Sequence, residues 1–60
     1  MTDGDGISRL RHDLANPLTA LLAETQLLLM REQDYDPDTL TSLREIEKLA
    51  IRLRALLRAS

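Results

Sequence analysis

The sequence predicts an all-α protein: an antiparallel helical hairpin that pairs with a second copy as a homodimeric four-helix bundle. Three observations carry this. Apolar residues recur at spacings of three and four along two long segments, and one Asp-Pro break divides them. The third is size, because a 60-residue chain buries too little apolar surface to offset its conformational entropy comfortably. With no cysteine and one histidine, neither disulfides nor a thiolate- or histidine-based metal site can act as a staple. Oligomerisation remains. Abundant leucine, two glycines, two prolines and a single aromatic residue, Tyr35, are the composition of a helical bundle.

Met1 to Gly6, with two glycines and two aspartates, lacks apolar periodicity and is predicted to be a frayed leader over residues 1–6. The first helix is predicted over about 7–31. Ile7, Leu10, Leu14, Leu18, Leu21 and Leu28 form one stripe, in which Thr25 is the weak position. Leu22 and Leu29 widen that stripe, as a helix buried against more than one neighbour requires. Residues 32–36 are polar and end in Asp36-Pro37, where aspartate can cap free amides and proline suits a first helical position, so a turn is placed there. The second helix is predicted over about 37–59, with Leu43, Ile46, Ala50, Leu53 and Leu57 as its seam, broadened by Leu40, Leu49 and Leu56. Two hairpins packed face to face would bury the excess. No repeat or linker divides the chain, which reads as one domain over 1–60.

Net charge is −2, but its distribution is uneven. Residues 1–37 carry seven acidic against three basic side chains, and residues 38–60 carry three against five. The slight acidic excess argues against a nucleic-acid partner. No apolar run reaches the length of a membrane span and the acidic, polar start is unlike a secretory signal, so the segment is expected to be cytoplasmic without membrane contact.

The run His12-Asp13-Leu14-Ala15-Asn16-Pro17-Leu18-Thr19 breaks the rules that govern the rest of the chain. Proline inside a helix removes a hydrogen bond and crowds the preceding turn, at a cost of roughly 3 kcal/mol. Here it leaves the Asp13 carbonyl without its helical partner and should bend the helix beyond His12. Such rule-breaking concentrates at functional sites. Ser8, His12, Asn16 and Thr19 share one face, opposite the leucine stripe, so His12 is expected to face water. Asp13 lies about 100° around the helix, close enough to orient or deprotonate the imidazole, which makes His12 a candidate nucleophile.

This run resembles the phosphoacceptor motif of the dimerisation and histidine-phosphotransfer domain of bacterial sensor histidine kinases. The matching residues are His12, Asp13, Leu14, Asn16, Pro17, Leu18 and Thr19, followed by Leu21 and Leu28 in the apolar register. The family fold is a hairpin that pairs as a homodimeric four-helix bundle. The resemblance implies a two-component signalling module in which the His12 imidazole attacks the γ-phosphoryl group of ATP and donates it to an aspartate on the receiver domain of a response regulator. Asp13 would be the general base or orienting carboxylate. Asn16 matches the position that holds the attacking water in family members with phosphatase activity. One departure is Ala15, which occupies a position that is often basic. The chain is expected to bind no cofactor itself: ATP would be supplied by a separate catalytic domain, in cis or in trans, without which the module is inactive.

Each functional reading has a plainer rival. His12 alone would be a surface histidine, Asp13 an exposed acid pairing with Arg9, and Asn16 polar surface. Arg44, Lys48 and Arg52 read as a solvated face. Arg54 and Arg58 have the same simple reading, yet a fold about Asp34 and Tyr35 would bring residues 55–58 level with His12, where both could stabilise a phosphoryl group or an acidic partner. The rival for the whole chain is a purely structural dimerisation or interaction module, which has no need of an exposed histidine, an adjacent acid and an interior proline.

Overall fold

The computed structural model describes residues 3–59 and is a helical hairpin. Helix α1 spans Asp3–Leu29, a 3-10 turn covers Glu32–Asp34, and helix α2 spans Pro37–Ala59. Residues 3–6 therefore belong to α1, where the sequence suggested a frayed leader, and Met1 and Thr2 lie outside the described residues. Glycine weakens a helix without ending one that already propagates.

At its other end α1 stops short of residue 31 because its last turn tightens. The Met30 amide is shared between the carbonyls of Gln26 (3.2 Å) and Leu27 (3.3 Å), and Arg31 bonds Leu28 at 3.1 Å. The chain then reverses through Asp34 N–H to Arg31 (2.9 Å) and Tyr35 N–H to Glu32 (3.2 Å). Asp36 caps α2: its carboxylate accepts the Thr39 amide at 3.3 Å and the Thr39 hydroxyl, leaving Pro37, which has no amide hydrogen, at the first helical position. These bonds hold the Asp36 carboxyl below its ordinary pKa, the Thr39 hydroxyl contributing most. Arg44 pairs with Glu32, tying the turn to the second turn of α2.

The seam between the helices follows one edge of the apolar arc read from the sequence. On α1 it comprises Arg11, Ala15, Leu18, Leu22, Thr25 and Leu29; on α2, Leu40, Leu43, Glu47, Ala50, Arg54 and Leu57. Both sets step strictly by three and four. Leu18, Leu22, Thr25 and Ala50 are buried, with Leu57 packed against the cluster. The small Ala50 side chain leaves room for the two leucines across from it. Of the expected stripe and its widened edge, Leu18, Leu22 and Thr25 are buried on α1 and Leu29 is half-buried, while Ile7, Leu10, Leu14, Leu21 and Leu28 are exposed; on α2, Leu43, Ala50 and Leu57 lie in the seam, while Ile46 and Leu53 are exposed with Leu49 and Leu56. The reason is geometric. A hairpin with a short connection has one interface, and an apolar arc wider than that interface must leave part of itself outside.

The remainder has a direction. With about 100° per residue, Leu10, Leu14, Leu21 and Leu28 of α1 lie roughly 80° to one side of its seam, and Ile46, Leu49, Leu53 and Leu56 lie roughly 100° to one side of theirs. Because α2 runs antiparallel, the two offsets meet on the same broad face. The molecule measures 51 × 15 × 12 Å with a radius of gyration of 14.8 Å, against about 10 Å for a compact domain of this length. Among the described residues no helix is long and apolar enough to cross a membrane.

Candidate functional site

The opposite broad face carries the motif. There a half-open cavity of about 260 Å³ lies between the amino-terminal half of α1 and the last turns of α2. Helix α1 lines it with Ser8, Arg11, His12, Ala15 and Thr19, and α2 with Arg54, Leu57 and Arg58. His12 is exposed, roughly 100° from the seam on the side away from the leucines. Arg54 and Arg58 are therefore level with the histidine, the juxtaposition that a turn near Asp34 and Tyr35 entailed. Helix pairing alone creates it: two antiparallel helices joined at residues 30–36 set residue 12 beside the mid-fifties.

The motif residues do not all converge. His12 and Thr19 share the cavity, whereas Asn16 is exposed about 40° further around α1 and does not line it. Asp13 is exposed on the outer side of α1, beyond His12 as seen from α2. Among the described residues it forms no ion pair with Arg9, the plainer role weighed for it. Helix α1 continues unbroken through Pro17, which is exposed. Of the remaining cations, Arg44, Lys48 and Arg52 are exposed; Arg44 pairs with Glu32, and Lys48 is 4.0 Å from Glu45.

Sequence reasoning missed Arg11, a seam position. Its side chain is half-buried, and its Nε is buried without a hydrogen-bond partner. The signal was present: 11, 15, 18, 22, 25 and 29 form as strict a three-four progression as the leucines do. An arginine and a threonine in that row hid it. Electrostatically the cavity is one-signed, since three arginines and the imidazole line it and no carboxylate does among the described residues.

Comparison with family models, with curated proteins and with solved structures finds no match to this chain.

Proposed function

We infer that this chain is the dimerisation and phosphoacceptor module of a two-component histidine kinase, with His12 as the phosphorylated residue. The observation that carries the reading is the placement of His12: solvent-accessible, on a cavity edged by Arg54 and Arg58, and on the face opposite the unpaired leucines. A nucleophile that must meet both a nucleotide-bearing domain and a response regulator has to stay accessible when the module associates, and this arrangement meets that requirement.

Association itself is part of the proposal. Among the described residues twelve large apolar side chains are exposed, including Ile7, Leu10, Leu14 and Leu21 on α1 and Ile46, Leu49, Leu53 and Leu56 on α2. The accessible surface is 4908 Å², whereas a folded monomer of this mass exposes about 4,000 Å². The excess, about 900 Å², is comparable to the roughly 800 Å² that each partner contributes to a standard interface. A second copy laid on the leucine face would complete a four-helix bundle and cover it.

In the reaction, an imidazole nitrogen of His12 forms a bond to phosphorus as the bond from the γ-phosphorus to its bridging oxygen breaks, and the leaving nucleoside diphosphate takes that electron pair. Asp13, adjacent in sequence and off the cavity, can accept the imidazole proton or hold the ring from the outer side without entering the space the phosphoryl group needs. In the second step the N–P bond breaks as a carboxylate oxygen of the regulator's aspartate bonds to phosphorus. Asn16 flanks the same edge and would hold a water in line with that aspartyl phosphate.

The test is phosphorylation by a compatible ATP-binding kinase domain in trans, or by phosphoramidate. Acid-labile, base-stable phosphate on His12, lost in His12→Gln while the variant stays folded and associated, is the expected result. Equal labelling of His12→Gln would refute the assignment and leave the dimerisation module, which the leucine face supports by itself.

A further inference from the structure

We propose that Arg11, Arg54 and Arg58 form a phosphate-binding cradle next to His12, which takes a terminal phosphoryl group as a dianion before and after its bond to the imidazole. The proposal rests on the phosphoacceptor reading for its biological role, but not for its binding chemistry.

Charge balance is the first ground. Of the other arginines, Arg31 lies 3.3 Å from Asp34 and Arg44 pairs with Glu32, while Arg9 and Arg52 are exposed. Arg11, Arg54 and Arg58 have no carboxylate partner among the described residues, and none lines their cavity. Arg11 and Arg54 are seam positions and half-buried, and partly desolvated cations without counter-charge raise the free energy of the hairpin unless an anion joins them.

The second ground is an unused donor. Arg11 Nε is buried and unpartnered, although buried donors are nearly always satisfied. The third is shape. Ala15 presents only a methyl group to the cavity, which leaves about 260 Å³ between guanidinium groups arriving from both helices. The guanidinium fork matches the oxygen spacing of phosphate, and Ser8 and Thr19 add hydroxyls at the same wall. A tetrahedral dianion can use donors from several directions, which a planar monoanionic carboxylate does less well.

The cradle would act on both steps. It would draw a nucleotide's terminal phosphoryl group toward His12 and offset the charge that builds on its oxygens. It would then hold phosphohistidine in place against hydrolysis until a partner aspartate arrives.

The test uses the unmodified 60-residue chain and inorganic phosphate at fixed ionic strength, with chloride as the reference salt. Phosphate should move the His12 ring-proton resonances saturably, and Arg58→Gln, an exposed and structurally mild change, should weaken binding by about tenfold. Arg54→Gln should do the same, and Arg54→Lys, which keeps the charge in the seam, should restore part of it. His12→Gln should still bind phosphate, followed through the Arg Nε resonances. In the phosphorylated chain, Arg58→Gln should shorten the phosphohistidine half-life several-fold. ATP in place of phosphate should perturb the same resonances if a nucleotide's terminal group is the natural source.

Phosphate without effect beyond chloride, or binding undiminished in both Arg→Gln variants, would overturn the cradle. The two readings fail separately. Phosphate binding in a chain that cannot be phosphorylated sinks only the phosphoacceptor assignment, and His12 labelling with no phosphate binding and an unchanged half-life in Arg58→Gln sinks only the cradle.

Discussion

The hydroxyl of Thr25 donates to the carbonyl of Leu21, one turn earlier in α1, at 2.7 Å, and so a polar side chain sits in the seam at 4% exposure with its donor satisfied. That carbonyl is already the acceptor of the helical bond from the Thr25 amide. Removing the hydroxyl therefore orphans nothing. Thr25→Val exchanges it for a methyl in a buried site and should stabilise the chain by about 1 kcal/mol, raising Tm by roughly 4–8 °C. Thermal unfolding followed by circular dichroism at fixed protein concentration decides it; a lower Tm would mean that the threonine contributes more to the seam than its local bond.

Acid sensitivity follows from the α2 cap. The Asp36 carboxyl is held below its ordinary pKa by the Thr39 hydroxyl first and the Thr39 amide second, so the unfolded chain binds its proton more readily than the folded one. Its stabilisation is full above the unfolded pKa, near 3.8, and is lost as pH falls through the lower folded value. Asp36→Ala should melt a few degrees lower than the parent at pH 7, with the gap closing below pH 4. A gap that persists at pH 2 would contradict the linkage.

Association should be visible by sedimentation equilibrium as a dimer whose thermal stability rises with protein concentration. Leu53 is exposed on the leucine face, outside the hairpin seam, so Leu53→Asp should act on the dimer and not on the pairing of α1 with α2. Burying an unpaired carboxylate in each copy should weaken association by at least about 100-fold, ~3 kcal/mol, with helicity falling as the marginal single hairpin is left alone. Ala50→Asp, in the buried seam, should instead abolish the helical signal at all concentrations. A compact, fully helical parent monomer at micromolar concentration would defeat the bundle.

Pro17 and Asn16 share a turn and should fail differently. Pro17→Ala returns a hydrogen bond to the Asp13 carbonyl within a helix that already runs unbroken, and should stabilise by about 1 kcal/mol or more. If the proline tunes the movement of the helix beyond His12, phosphoryl transfer slows as Tm rises. Asn16→Ala should leave association and His12 phosphorylation intact and slow the dephosphorylation of a partner regulator. Normal transfer with a lower Tm for Pro17→Ala would assign the proline to packing.

How legible this was in the sequence differs by level. Two helices, their junction at Asp36-Pro37 and the level pairing of residue 12 with the mid-fifties follow from periodicity, capping and chain length, which are local or nearly so. The rotation of each helix about its axis is not local. Ile7 and the leucines at 10, 14, 18, 21 and 28 mark an apolar arc, but which edge of the arc meets α2 and which is left outside depends on competition between two surfaces that a linear pattern does not rank. Hence Leu14 and Leu21 are exposed while Ala15 and Thr25 are covered. The same ambiguity hid Arg11, because an arginine at seam spacing looks like an interruption of the pattern until the partner helix supplies Arg54 beside the same cavity.

A slab only 12 Å across its thin dimension, apolar on one broad side and cationic on the other, sets a stoichiometry. If two copies meet through their leucines, the twofold axis passes through the hidden sides and both histidines point outward, in opposite directions, with the full thickness of two slabs between them. One protein docked at either histidine cannot obstruct the other. If His12 is the phosphoacceptor proposed above, such an assembly has two independent loading points, so regulator and nucleotide-bearing domain would not need to take turns across the dimer as a whole: one side could be receiving phosphate while the other gives it away.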